Sequence, residues 1–110
     1  MSAVGSWTLH FSWGCTGNYS QIPITFNANG TFALAPYTGK WVQNEGKIIF
    51  KFDQAPNSVY GGDEVSNAMV GISSTFAGTN GCWYAIRTGS TAKPMAEAKP
   101  EFDAAGNKPK

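Results

Sequence analysis

Residues 5–15 read Gly-Ser-Trp-Thr-Leu-His-Phe-Ser-Trp-Gly-Cys, with Trp7, Leu9, Phe11, Trp13 and Cys15 at every second position. Ser6, Thr8, His10, Ser12 and Gly14 lie between them. Side chains alternate across a strand, so this spacing predicts one buried face and one wet face over most of the segment. Shorter versions of the pattern follow. Ile22, Ile24 and Phe26 predict a second strand, in which Pro23 removes a ladder donor and marks an edge, a bulge or a late start. Phe32 and Leu34 give a third, ended by Ala35-Pro36, and Gly39-Lys40-Trp41-Val42 opens a fourth. In the fifth, Ile48, Phe50 and Phe52 face inward while Lys47, Ile49 and Lys51 face outward. A weaker sixth strand over 58–61 leads through Gly62-Asp63-Glu64, read as a loop, to a seventh over 67–73 containing Met69. The eighth, 82–88, places Cys82, Tyr84 and Ile86 on the inner face and Trp83 outside.

Turn chemistry separates these runs. Asn27-Ala28-Asn29-Gly30 and Gln43-Asn44-Glu45-Gly46 read as hairpin loops, and Thr16-Gly17-Asn18, 53–57 and 76–81 as further breaks. Eight short strands at a spacing of about ten residues, with no helical period, point to a barrel or sandwich. The loops are too short for parallel crossovers. The expected fold is therefore all-β: a small up-and-down antiparallel eight-stranded barrel over residues 1–88. Residues 89–110 mix Ala, Lys, Glu and Pro with Phe102 as their only aromatic, and are expected to form a disordered tail.

A single domain is the limit for 110 residues, and its core is small. Four Trp, four Tyr and seven Phe compensate with large buried areas. The net charge of +1 belongs to the tail, because Lys40, Lys47, Lys51 and Arg87 balance Glu45, Asp53, Asp63 and Glu64. Without a basic stripe, no nucleic-acid partner is expected. No apolar run is long enough to span a membrane as a helix. In an up-and-down barrel the first and last strands pair antiparallel, which brings Cys15 at the end of one to Cys82 at the start of the other. A disulfide there would staple the closing seam and imply an oxidising compartment; the alternative is two buried thiols in a cytosolic protein. Under the disulfide reading the protein is exported (periplasmic, secreted or at the cell surface), with its signal outside this sequence.

Catalytic chemistry is hard to assemble. His10, the only histidine, falls on the outward face of the first strand and has no second ligand or triad partner. Asp63-Glu64 is the only close acidic pair, and two carboxylates fall short of the six or more oxygens that calcium takes. Neither an enzyme, a metal nor a cofactor is expected. Asn18-Tyr19-Ser20 and Asn29-Gly30-Thr31 match glycosylation acceptors, a tripeptide short enough to recur by chance.

Three Gly-x-Trp units occur, Gly5-Ser6-Trp7, Gly39-Lys40-Trp41 and Gly81-Cys82-Trp83. The first resembles the signature of the calycins, the barrel group of lipocalins and avidins. Thr25-Phe26 through Thr31-Phe32, then Gly39-Lys40-Trp41, Gly46 and Gly81-Cys82-Trp83-Tyr84-Ala85-Ile86-Arg87 together resemble a small bacterial lipocalin-like barrel. The resemblance spans roughly 5–88 and implies that Trp7 packs at the closed end with Arg87 across it, a structural pair. Parity opposes that pairing if Cys15 and Cys82 face inward, since Arg87 then points outward unless a bulge intervenes. The resemblance, with the aromatic inner face, implies binding of a small apolar molecule or lipid in the barrel mouth, with Trp13, Phe26, Phe32, Trp41, Phe50 and Tyr84 as the expected ligand residues; a monomer is expected. A filled barrel acting as a protein-interaction or structural domain is the alternative. Its contacts would come from loops at 16–18, 36–38, 53–57 and 61–64, or from outward rings such as Trp83.

Overall fold

A computed structural model describes residues 2–89. Eight strands are present: β1 (Gly5–Trp13), β2 (Ser20–Phe26), β3 (Thr31–Leu34), β4 (Tyr37–Asn44), β5 (Lys47–Phe52), β6 (Val59–Val65), β7 (Ala68–Ser74) and β8 (Asn80–Arg87). Each pairs antiparallel with its sequence neighbours, and β8 returns to β1, so the sheet closes into a barrel in up-and-down order. The tail expected over 89–110 lies, apart from Gly89, outside the described residues.

Alternation sets what enters the lumen. Trp7 and Leu9 on β1, Ile24 and Phe26 on β2, Phe32 and Leu34 on β3, and Ile48 and Phe50 on β5 are all buried. Pro23 faces Thr8 in the β1–β2 ladder without interrupting it. The hairpin between β4 and β5 is tighter than its four-residue reading. Only Glu45 and Gly46 turn, both with positive φ (52° and 87°), the geometry of a two-residue hairpin that matches strand twist.

Three expectations about the later strands are corrected. The Gly62-Asp63-Glu64 segment is not a loop: β6 runs unbroken through it, with Asp63 outward and Glu64 inward. Glycine there does not turn the chain; it makes room. Gly62 and Gly71 face each other across β6 and β7, and a Cβ on Gly62 would lie 2.9 Å from the Trp83 ring. A Cβ on Gly71 would strike the backbone of Gly61 and Gly62. Second, β8 has the opposite parity: Trp83 and Ala85 are buried in the lumen, and Tyr84 faces outward. Third, the cysteines do not face inward: Cys15 follows β1, as expected, but the chain has already left the strand there. Gly14 and Cys15 both take positive φ (83° and 53°), turning the chain out of the strand. Cys82 pairs in register with outward-facing Ser12, so the Cys15–Cys82 disulfide (Cα–Cα 5.1 Å) forms on the outer wall. That releases Arg87 to point inward, and no bulge is needed.

Outside the barrel, the β1–β2 loop is held against the wall by this disulfide and by the Thr16 amide donating to Ser12 Oγ at 3.1 Å. His10 does face outward, yet it is 5% exposed rather than wet. The Tyr84 ring stacks on it at 4.4 Å and 5°, and Tyr19 meets Tyr84 edge-on at 5.1 Å.

Replacing Gly71 with Val should destabilise the barrel by about 3 kcal/mol or more, since β6 backbone cannot retreat as a flexible side chain can. Replacing exposed Val70 next to it with Thr should change stability by less than about 0.5 kcal/mol. Urea unfolding followed by tryptophan fluorescence measures both.

Candidate functional site

The two ends of the lumen differ. At the end where β1 starts, Ser2–Val4 lies across the opening, and Ala3 is fully buried. Its amide donates to Gln43 Oε1 at 2.9 Å, and its carbonyl accepts from Trp7 Nε1 at 2.8 Å. Arg87 donates to the carbonyls of Val4 (3.0 Å) and Ser2 (2.9 Å) and lies 4.3 Å over the Trp7 ring. Beneath this cap sits Glu64, its side chain without exposure. One carboxylate oxygen accepts from Gln43 Nε2 at 2.7 Å; the other faces Arg87 at 3.6 Å. A buried carboxylate needs such compensation, because removing one partner of a buried pair leaves an uncompensated charge. Asp63, the other half of the acidic pair, forms an exposed bridge to Lys47 at 2.8 Å on the outer wall.

The middle of the lumen is filled by rings. Phe26, Phe32 and Phe50 contact one another with centroids 5.4–5.9 Å apart. Phe50 also meets Trp83 edge-on at 5.2 Å and stacks with Tyr60 at 4.9 Å and 18°. Trp41 closes the side of this column against Phe26 at 5.5 Å, its indole N–H donating to the carbonyls of Asn27 and Thr31.

Toward the opposite end the packing stops. A cavity of about 380 Å³ opens there, walled by Leu9, Phe11, Ile22, Leu34 and Phe52. Tyr37, Gln54 and Ala55 form its rim, and Tyr60 a further wall. The volume lies within the range of small-molecule pockets. Gln54 is engaged with the chain, accepting from the Thr38 amide at 3.2 Å and donating to Thr38 Oγ1 at 3.4 Å. Tyr60 is 5% exposed, and burial raises its phenol pKa above the ordinary 10.0.

Of the six residues expected to hold a ligand, none lines this cavity. Phe26, Phe32 and Phe50 form the packed column beside it, with Trp41 against Phe26. Trp13 stands at the same end, 36% exposed, with its ring edge-on to Tyr60 at 6.0 Å. Tyr84 is on the outer wall, and Trp83, expected outside, is buried in the lumen. Trp7 and Arg87 form the pair that the resemblance implied. Tyr37, Gln54 and Ala55 fall in the loops 36–38 and 53–57, which the sequence offered to a protein partner rather than to a ligand, because alternation carries no signal there. Tyr60 stood in a strand read as weak. Among the described residues, no group of three or more His, Cys, Asp or Glu side chains is placed to hold a metal ion. No helix among them is long and apolar enough to cross a membrane. Compared with known protein families, curated proteins and solved structures, the chain matches none.

Two outcomes follow from the charges in this arrangement. Arg87→Met should cost about 3 kcal/mol by leaving Glu64 buried without its counter-charge, whereas Lys47→Met should cost less than about 1 kcal/mol. Chemical denaturation of both variants makes the comparison. Burial holds the His10 imidazole below its ordinary 6.5. As pH falls through 6.5 the unfolded chain takes up a proton that the folded one resists, so stability drops until the folded pKa is passed. Melting temperatures between pH 7.5 and 5 should fall more steeply for the wild type than for His10→Phe, which keeps the ring stack and removes the proton site.

Proposed function

We propose that this chain is a non-enzymatic, exported calycin-like barrel that carries a small apolar molecule in its open end. The observation that carries the reading is the 380 Å³ cavity, walled by aliphatic and aromatic side chains above a packed aromatic column. Apolar surface left open to water is costly, and a ligand that covers it gains the corresponding transfer free energy. Export is supported by the disulfide, which persists in oxidising compartments. The calycin reading draws on the Gly-x-Trp motif, the eight-stranded closed barrel and the Arg87–Trp7 contact at the capped end.

A second reading has one observation in its favour. Val42, Ile49 and Ile72, 52–71% exposed, fall in one register row across β4, β5, β6 and β7, with Gly61 between them. Such a row suits a protein contact.

Native mass spectrometry after exposure to a mixed set of apolar small molecules, neutral and charged, ring-shaped and acyl-chained, tests the first reading. One retained small molecule per chain is the expected result, lost when Leu34→Trp fills the cavity. A bare mass under every loading condition would overturn it in favour of the outer row.

A further inference from the structure

Glu64 Oε2 is the fully buried side-chain oxygen without a hydrogen-bond partner among the described residues, and it faces Arg87 under the cap. The Tyr60 hydroxyl is different. It makes no hydrogen bond among the described residues and is not fully enclosed, and Tyr60 is part of the cavity wall. Its ring is fixed by a stack on Phe50 (4.9 Å) and by edge contacts with Phe52 (5.6 Å) and Trp13 (6.0 Å). A donor held this rigidly, on a residue 95% buried, has a fixed direction, so an acceptor that meets it orders no further side chain.

Charge narrows the partner further. No residue lining the cavity is ionisable near neutral pH. The cations of the adjoining strands lie on the outer surface: Lys40 reaches Asp53 at 3.5 Å, and Lys51 alternates outward between Phe50 and Phe52. A carboxylate or phosphate entering the cavity would lose its hydration with no counter-charge to receive it. Depth narrows the partner again, because Phe26, Phe32 and Phe50 close the lumen beneath the cavity. An extended acyl chain has no channel to follow.

Building on the cavity reading above, we infer that the site selects a neutral, ring-sized molecule bearing one hydrogen-bond-accepting oxygen, which the Tyr60 hydroxyl meets. Raised by burial, that phenol stays protonated and remains a donor at physiological pH.

Three probes of one shape test it: 2-acetylnaphthalene, 2-naphthoate and 2-isopropylnaphthalene, each titrated into the ¹⁵N-labelled protein and followed by amide chemical shifts. The ketone should move the amides of Leu9, Leu34, Ala55 and Tyr60 and bind about fivefold more tightly than the hydrocarbon, the worth of one neutral hydrogen bond. It should bind at least about tenfold more tightly than the carboxylate. In Tyr60→Phe the ketone should fall to the affinity of the hydrocarbon, whose own binding stays unchanged. Equal or tighter binding of naphthoate to the wild type overturns the inference without recourse to any variant. A ketone preference that survives Tyr60→Phe removes Tyr60 from the role. Binding of all three in the cavity at equal strength sinks the inference alone, while no cavity shifts from any probe sink the cavity reading with it.

Discussion

The pairing of β1 with β8 governs everything else in this molecule. With it the sheet has no edge, and every strand residue belongs either to the lumen or to the outer wall. Parity then becomes a property of the whole ring. Trp7 faces Arg87, Leu9 faces Ala85 and Phe11 faces Trp83, so a slip of one residue at this seam would turn β8 inside out. The Cys15–Cys82 disulfide fastens the same seam across 67 residues of chain, a loop whose closure restricts the unfolded state by about 4 kcal/mol in the chain-entropy account.

A closed ring also fixes how much fits inside. Bulk entering from one strand must be met by absence on another. Trp83 on β8 lies beside Gly71 on β7 and Gly62 on β6, three residues in one register row. The two small positions allow an indole to cross the lumen and reach Phe50. Its ring N–H still finds an acceptor in the Ile72 carbonyl at 3.0 Å, so the largest buried side chain of that row leaves its polar atom satisfied.

This economy of space explains what was legible in the sequence. β1, β2 and β5 could be read directly, because their inward positions are apolar and most of the positions between them are Ser, Thr, Gln, His or Lys, which marks the lumen face. β8 could not, because Cys82-Trp83-Tyr84-Ala85-Ile86 is apolar on both faces. Its parity was tied to the assumption that a disulfide belongs inside, whereas two positive φ angles at Gly14 and Cys15 carry the bridge outside. The Gly61-Gly62 pair carries the usual signal of a turn, and only a ring contributed from a strand twenty residues later reveals it as a clearance. His10 was placed on the correct face but in the wrong environment, because alternation is blind to a loop that folds back over the wall. The cavity rim was half legible: up-and-down order puts the loops 36–38 and 53–57 at one end, but nothing in their own sequences says that Tyr37, Gln54 and Ala55 border a space left open inside.

The contrast between the two ends of the lumen bears most on function. At the capped end every strong donor that enters is spent on the chain itself: Arg87 on Ser2 and Val4, Trp7 on Ala3, Gln43 on Glu64. A ligand there would have to displace Ser2–Val4 and expose Glu64, losing contacts it could not replace. At the other end no segment among the described residues plays the part of Ser2–Val4, and the disulfide that might have occupied the mouth is on the outer wall. The aromatic column between the ends is packed ring against ring, and close packing resists collapse. The empty half is thus supported from below and open from above. A core filled uniformly would be more stable; on the ligand-carrying reading proposed above, leaving the space on one side of a rigid column confines that cost to the place where a ligand would offset it.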